Sequence, residues 1–269
     1  MRLYLLPLST KRTLLHAQRL NVLTTSNNRG LVDKVVGKAA VKWSEWEKLD
    51  GGWQRKVVNW GNQAFRRIPY EEWGLKSVPP LSARRKAEEL RGKEKVQVVF
   101  PRTVIPVEKA EAILKTLATE REAVHRSRLI WCFIGMPLTI PVGILPVVPN
   151  LPFFYLVYRA WSHWRAIQGG RHIQWLIKNR LILETPSEAL DGLYSRDGAL
   201  QIEEKPEKEK LLVTQNKGEQ IATTLGLPAL NIELERAVWQ VNEKLRRDEE
   251  DASAAQPKTE AKDEDKKDQ

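Results

Sequence analysis

The chain has little of what most enzymes and metalloproteins are built from. It has a single cysteine, Cys132, in 269 residues, which excludes an internal disulfide framework and any multi-thiol metal site. Because Cys132 lies in an apolar stretch, it is expected to pack as a small hydrophobe. Histidine is scarce, with four in all. There is no GxSxG elbow, P-loop, GxGxxG or HExxH, so hydrolase, nucleotide-binding and zinc-protease chemistry have no motif to rest on. The isolated pairs Gly51-Gly52 and Gly169-Gly170 are expected to interrupt structure, not to cradle phosphate. No enzymatic activity, catalytic residue, metal ligand or cofactor is therefore expected.

Acid is missing where it is most informative. Although 29% of residues are charged, Ala123–Leu183 contains no aspartate or glutamate. Within it, Leu129–Tyr158 also lacks lysine, arginine and histidine. A charge-free run of 18 or more residues is a candidate for a membrane segment. Pro137, Pro141, Pro146, Pro149 and Pro152 break this one, since each interior proline removes a backbone bond. Two forms fit: a helical hairpin or re-entrant segment bending near residues 146–152, or one kinked span. Both flanks are basic, with His125, Arg126 and Arg128 before and Arg159, His163, Arg165, Arg171 and His172 after. Two basic ends favour the hairpin, because both would emerge on one anionic face.

The rest of the chain is charged and polarised. Net charge is +10, but Asp248–Gln269 holds nine acids and four lysines, so the body before it carries about +15. Such a body selects anionic partners, chiefly phospholipid headgroups. Nucleic acid is not expected, for want of zinc-ligand pairs, an RNP-like motif or a basic zipper. Another membrane protein, or a second copy, is the remaining partner class.

The expected organisation has five parts. Residues 1–105 form a basic, tryptophan-rich domain. Residues 106–183 hold a helix, the membrane segment and a basic flank. A charged linker covers 184–217, two helices cover 218–247, and a disordered acidic tail covers 248–269. Met1–Val32 has five basic residues and no acid, like a transit peptide, yet Leu3–Leu8 reads as a strand. Val96–Phe100 could pair with it in a two-stranded sheet. Thr13–Val22 reads as a short helix, Ile68–Leu81 as loop, and Val107 onward as one unbroken helix into the apolar segment. The expected class is thus a mainly α, membrane-associated protein.

Several phrases of the sequence carry a resemblance. Met136-Pro-Leu-Thr-Ile-Pro141, Pro149-Asn-Leu-Pro-Phe-Phe-Tyr155 and Tyr158-Arg-Ala-Trp-Ser-His163 resemble the fungal mitochondrial potassium/proton-exchange-related family. Leu3-Tyr-Leu-Leu-Pro7 and Gly169-Gly-Arg-His-Ile173 fit the same pattern. Pro137, Pro141, Pro149, Asn150, Pro152, Arg159 and His163 are the positions carried over. The resemblance implies the mitochondrial inner membrane and a part in exchanging potassium for protons. An antiporter usually needs an ionisable group in the membrane, and the apolar run has none. The expectation is a subunit or regulator, with a membrane-anchored scaffold or a soluble adaptor as alternatives. His125, His163 and His172 flank the run and are candidate pH sensors, because histidine changes charge near neutrality.

Overall fold

Arg2–Pro7 alternates large side chains between two faces, and both faces are covered. Leu3 and Leu5 point one way, Tyr4 and Leu6 the other, and all four are buried. This strand, β1, sits inside a mixed sheet of order β2-β1-β3-β4, with β2 Thr13–Gln18, β3 Val96–Phe100 and β4 Ile182–Pro186. β1 and β2 form an antiparallel hairpin with Leu5 opposite Leu15, closed by the Leu8 N–H donating to the Arg12 carbonyl at 2.8 Å. β1 and β3 run parallel with Leu3 opposite Val98, and β3 and β4 run parallel with Val98 opposite Glu184. This computed structural model describes residues 1–18, 38, 41–91, 95–141, 150–195 and 209–255.

The helices divide between the two faces of the sheet. Residues 41–47 are helical (α1), followed by α2 Gly52–Arg66, α3 Tyr70–Ser77, α4 Ala83–Arg91, α5 Val107–Thr119, α6 Glu122–Thr139 and α7 Leu151–Lys178. Beyond β4 lie α8 Glu188–Ser195, α9 Gln215–Thr224 and α10 Pro228–Ala255. One core joins Leu3, Leu5, Leu15, Val98 and Phe100 to Leu75 of α3, Leu114 of α5 and Ala166, Ile173 and Leu176 of α7. The other joins Tyr4, Leu6, Leu14 and Val99 to Leu190 of α8, Ile221 of α9 and Leu234 and Val241 of α10. The result is three layers, helix on sheet on helix.

Several expectations are corrected. The anticipated pairing of residues 3–8 with 96–100 exists, but as the middle of four strands. Thr13–Gln18 is strand, not helix, because each of its faces meets a core. Ile68–Leu81 is not loop throughout: Pro69 caps α3, and Glu71 and Glu72 occupy its first turn, a helix-start pattern. The helix from Val107 is not continuous, since Arg121 (φ −104°, ψ 6°) separates α5 from α6. Of residues 184–217, read as a charged linker, Glu184–Pro186 complete β4 and Glu188–Ser195 form α8. Residues 248–255, read as the start of a disordered acidic tail, continue α10 as helix, and the tail beyond Ala255 lies outside the described residues.

The largest correction concerns the membrane segment. Among the described residues no helix is long and apolar enough to cross a membrane. The charge-free run is divided between the end of α6 and the start of α7. Leu129–Thr139 and Leu151–Tyr158 are each well short of the ~20 apolar residues a crossing helix needs. α7 then continues through Arg159, His163 and Arg165, side chains that face protein. A hairpin of helices does form, but its helices belong to a folded α/β body and neither is long and apolar enough to cross a membrane.

Candidate functional site

Three helices bring five polar side chains together out of water. Glu72 lies on α3. Arg159, Ser162 and His163 lie on α7 at spacings of three and four, so they share one helical face. His125 lies on α6, opposite His163. Glu72 and Ser162 are wholly buried, and His125, His163 and Arg159 nearly so. Glycine permits this closeness. A Cβ on Gly169 would collide with the carbonyl oxygen of Leu75, so its absence lets α7 press on the α3 backbone. Gly170 meets the Ala118 carbonyl in the same way, at 2.7 Å. The Gly169-Gly170 pair therefore does not interrupt α7; it is where α7 is most tightly packed. Gly52, at φ +90°, does mark a break before α2.

The carboxylate of Glu72 is gripped from three directions. Arg159 donates from Nη1 to Oε1 at 2.8 Å and from Nη2 to Oε2 at 3.1 Å, a two-pronged ion pair. Ser162 donates its hydroxyl to Oε1 at 2.5 Å. Burial pushes the Glu72 carboxyl up, but the Arg159 charge and the hydrogen bonds from Ser162 and Arg159 outweigh it and hold it below the usual range.

The hydrogen-bond order assigns the histidine tautomers. Arg159 Nη2 lies 3.0 Å from His163 Nε2. Guanidinium can only donate, so Nε2 accepts and a neutral His163 carries its proton on Nδ1. That proton points to His125 Nδ1, 3.1 Å away, and His125 must then hold its own proton on Nε2. His125 Nε2 is buried and has no partner among the described residues. Burial pushes both imidazoles towards the neutral form, reinforced by Arg159, against the pull of Glu72. His163 falls to about 4. The pair is therefore uncharged near pH 7.

Glu72, His125 and His163 each offer a ligand atom within 4.8 Å of the others. Two imidazoles and a carboxylate are a set that zinc accepts. Here the Arg159 guanidinium already fills the cation's place, bonding to both carboxylate oxygens and to His163. A further dication would face that fixed charge in a buried site. Lys76, one turn beyond Glu72, is also buried; its ammonium stands 3.6 Å from the Trp73 ring centroid and donates to the Tyr158 hydroxyl at 3.2 Å. Burial lowers it to about 8.

The other positions singled out in the sequence are scattered. His172 is fully buried on α7 but apart from the pair, with Nδ1 2.8 Å from the Pro79 carbonyl and Nε2 3.0 Å from Glu89. Asn150 caps α7 by accepting from the Phe153 N–H at 3.1 Å, and donates to the Thr139 carbonyl at 2.6 Å, tying α6 to α7. Pro152 sits in the first turn of α7, Pro137 near the end of α6 and Pro141 just beyond it. Pro149 lies outside the described residues. Cys132 is buried, and burial raises its thiol. Sequence reasoning missed Glu72, which lies in Ile68–Leu81, the stretch read as loop. An arginine directly after an apolar run needs a counter-ion, and that signal could have prompted the search.

The whole cluster lies within residues 2–177, and over this stretch the chain matches the family described as mitochondrial K+-H+ exchange-related. The chain belongs to that family. Family membership carries an association with mitochondria and with K+/H+ exchange, in agreement with the resemblance read from the sequence phrases. An uncharacterized protein of Schizosaccharomyces pombe is 31% identical over 193 residues, which is 71% of this chain and 81% of the relative. An uncharacterized protein of Saccharomyces cerevisiae is 24% identical over 197 residues, 65% of this chain and 62% of the relative. No solved structure matches the chain.

Proposed function

We propose that this protein supports K+/H+ exchange at the mitochondrial inner membrane as a subunit or regulator of a carrier, and is not itself a complete antiporter. Family membership supports the link to exchange. The observation that favours a supporting role is the state of Glu72. It is the one fully buried carboxylate among the described residues, and Arg159 and Ser162 occupy both its oxygens. A carboxylate that trades potassium for a proton must be open to both in turn. The Thr139 hydroxyl at the end of α6 is engaged as well, donating to the Met136 carbonyl at 2.7 Å. In this reading the neutral His125 and His163 brace the α3–α6–α7 contact.

Swelling of de-energised mitochondria in potassium acetate tests the proposal. Loss of the gene should slow swelling, and re-expression of the chain should restore it. Normal swelling without the protein would overturn the exchange role and leave a scaffold.

A further inference from the structure

We infer that the end of the α6–α7 pair remote from the sheet docks on an anionic phospholipid surface, touching one leaflet without crossing it. This goes beyond the exchange role, and holds or fails independently of it.

The first observation is what this end shows to solvent. Ile130, Trp131, Phe133 and Leu138 of α6 and Phe154 and Val157 of α7 are all exposed, Leu138 at 76% and Trp131 at 67%. Six large apolar side chains exposed on two adjoining helix ends mark an interaction site. The second is how it is bordered. Arg126 and Arg128 are exposed on α6 one turn before Ile130, and Arg171 is half-exposed further along α7. Glu122 pairs with Arg126 and Arg171 at 3.2 and 3.4 Å, and with no acid from Ala123 to Leu183 the three arginines leave the border net cationic. Trp164, 43% exposed, lies at the level of Arg126, where tryptophan favours lipid headgroups.

Two arguments choose lipid over protein. Trp131 and Phe133 are two residues apart, so they leave α6 about 200° apart at 3.6 residues per turn. A rigid groove would have to wrap the helix to cover both, whereas fluid lipid surrounds it. A second copy would set Arg128 against its own kind, with Arg126 beside it offset only by Glu122 at 3.2 Å, whereas anionic headgroups neutralise the excess charge. Depth is limited: Ile130 to Ile140 rises about 15 Å, half a hydrocarbon core of ~30 Å.

The test is flotation of the full chain with phosphatidylcholine vesicles, with and without phosphatidylglycerol. Binding to the anionic vesicles alone is expected. Arg126→Gln with Arg128→Gln should weaken it by about 30-fold, at about one headgroup interaction per arginine. Phe133→Ser with Leu138→Ser should abolish it while thermal unfolding stays unchanged, since both side chains are exposed. Equal binding to neutral vesicles, no binding to either, or a concentration-dependent dimer dissolved by Phe133→Ser with Leu138→Ser would each overturn the inference. Vesicle binding with normal mitochondrial swelling would uphold docking and defeat the exchange role; slowed swelling without vesicle binding would do the reverse.

Discussion

Arg159 holds Glu72 through both guanidinium prongs, at 2.8 and 3.1 Å, although 87 residues separate the two in the chain. The pair joins α7 to α3, and His163 and Ser162 complete its shell. A buried ion pair is an uncertain source of stability, because desolvation opposes the Coulomb gain. Losing one partner is a clear cost.

Arg159→Leu should therefore destabilise the protein by about 3–5 kcal/mol, because it strands the Glu72 charge. Glu72→Leu combined with Arg159→Leu should recover much of that loss. Urea unfolding of the two single variants and the double variant measures the coupling. Additive losses would show that the pair does not act as a unit.

Acid should weaken the fold in a defined window. His163 has a folded value of about 4, below an ordinary histidine near 6.5, so the unfolded chain takes up the proton first. Its contribution is present above pH 6.5 and is lost as pH falls from 6.5 to 4, by at most about 3 kcal/mol. Glu72, also depressed, acts in the same direction at the acid end of the range. Thermal unfolding midpoints between pH 7 and 4 measure this, and His163→Gln should flatten the slope. An unchanged slope in that variant would mean the imidazole is not the group responsible.

The two histidines should respond unequally to removal. His125 supplies one acceptor to His163 but carries an unpartnered buried N–H, so His125→Phe should cost about 1 kcal/mol or less. His163→Phe removes the acceptor for Arg159 Nη2 and should cost about 1–3 kcal/mol. Chemical denaturation of both variants decides the order, and a reversed order would refute the assigned tautomers.

Glycine substitutions separate packing from propensity. Gly169→Ala should destabilise severely, because its Cβ meets the Leu75 carbonyl and neither backbone can yield cheaply. Gly192 is exposed within α8, and a methyl group added there would meet nothing within 4 Å, so Gly192→Ala should stabilise by about 0.5–1 kcal/mol. Melting temperatures of the two variants provide the check.

Much of the element order was legible along the chain. The opening strand, Val96–Phe100 and the two C-terminal helices follow from local periodicity. The family phrases pointed to Arg159 and His163, which do lie in the buried cluster. Glu72 was not legible, because a short helix between prolines reads as loop when its apolar neighbours are counted alone. Nor could local sequence pair His125 with His163. Their contact depends on α6 and α7 running antiparallel, and Asn150 bridging to Thr139 helps to set that register.

Composition and short-range pattern were enough for the family, the basic body, the absence of acid around the apolar run and the strand at Arg2–Pro7. Such properties belong to neighbouring residues and hold however the chain folds. The packing of both arms of the charge-free run into a folded body, and the α3 carboxylate that neutralises Arg159, emerge only once the chain has folded. Both outcomes arise from contacts between segments far apart in the chain. A buried charge must be paired wherever the fold brings a partner, and a run of apolar residues acquires its meaning only from what packs against it.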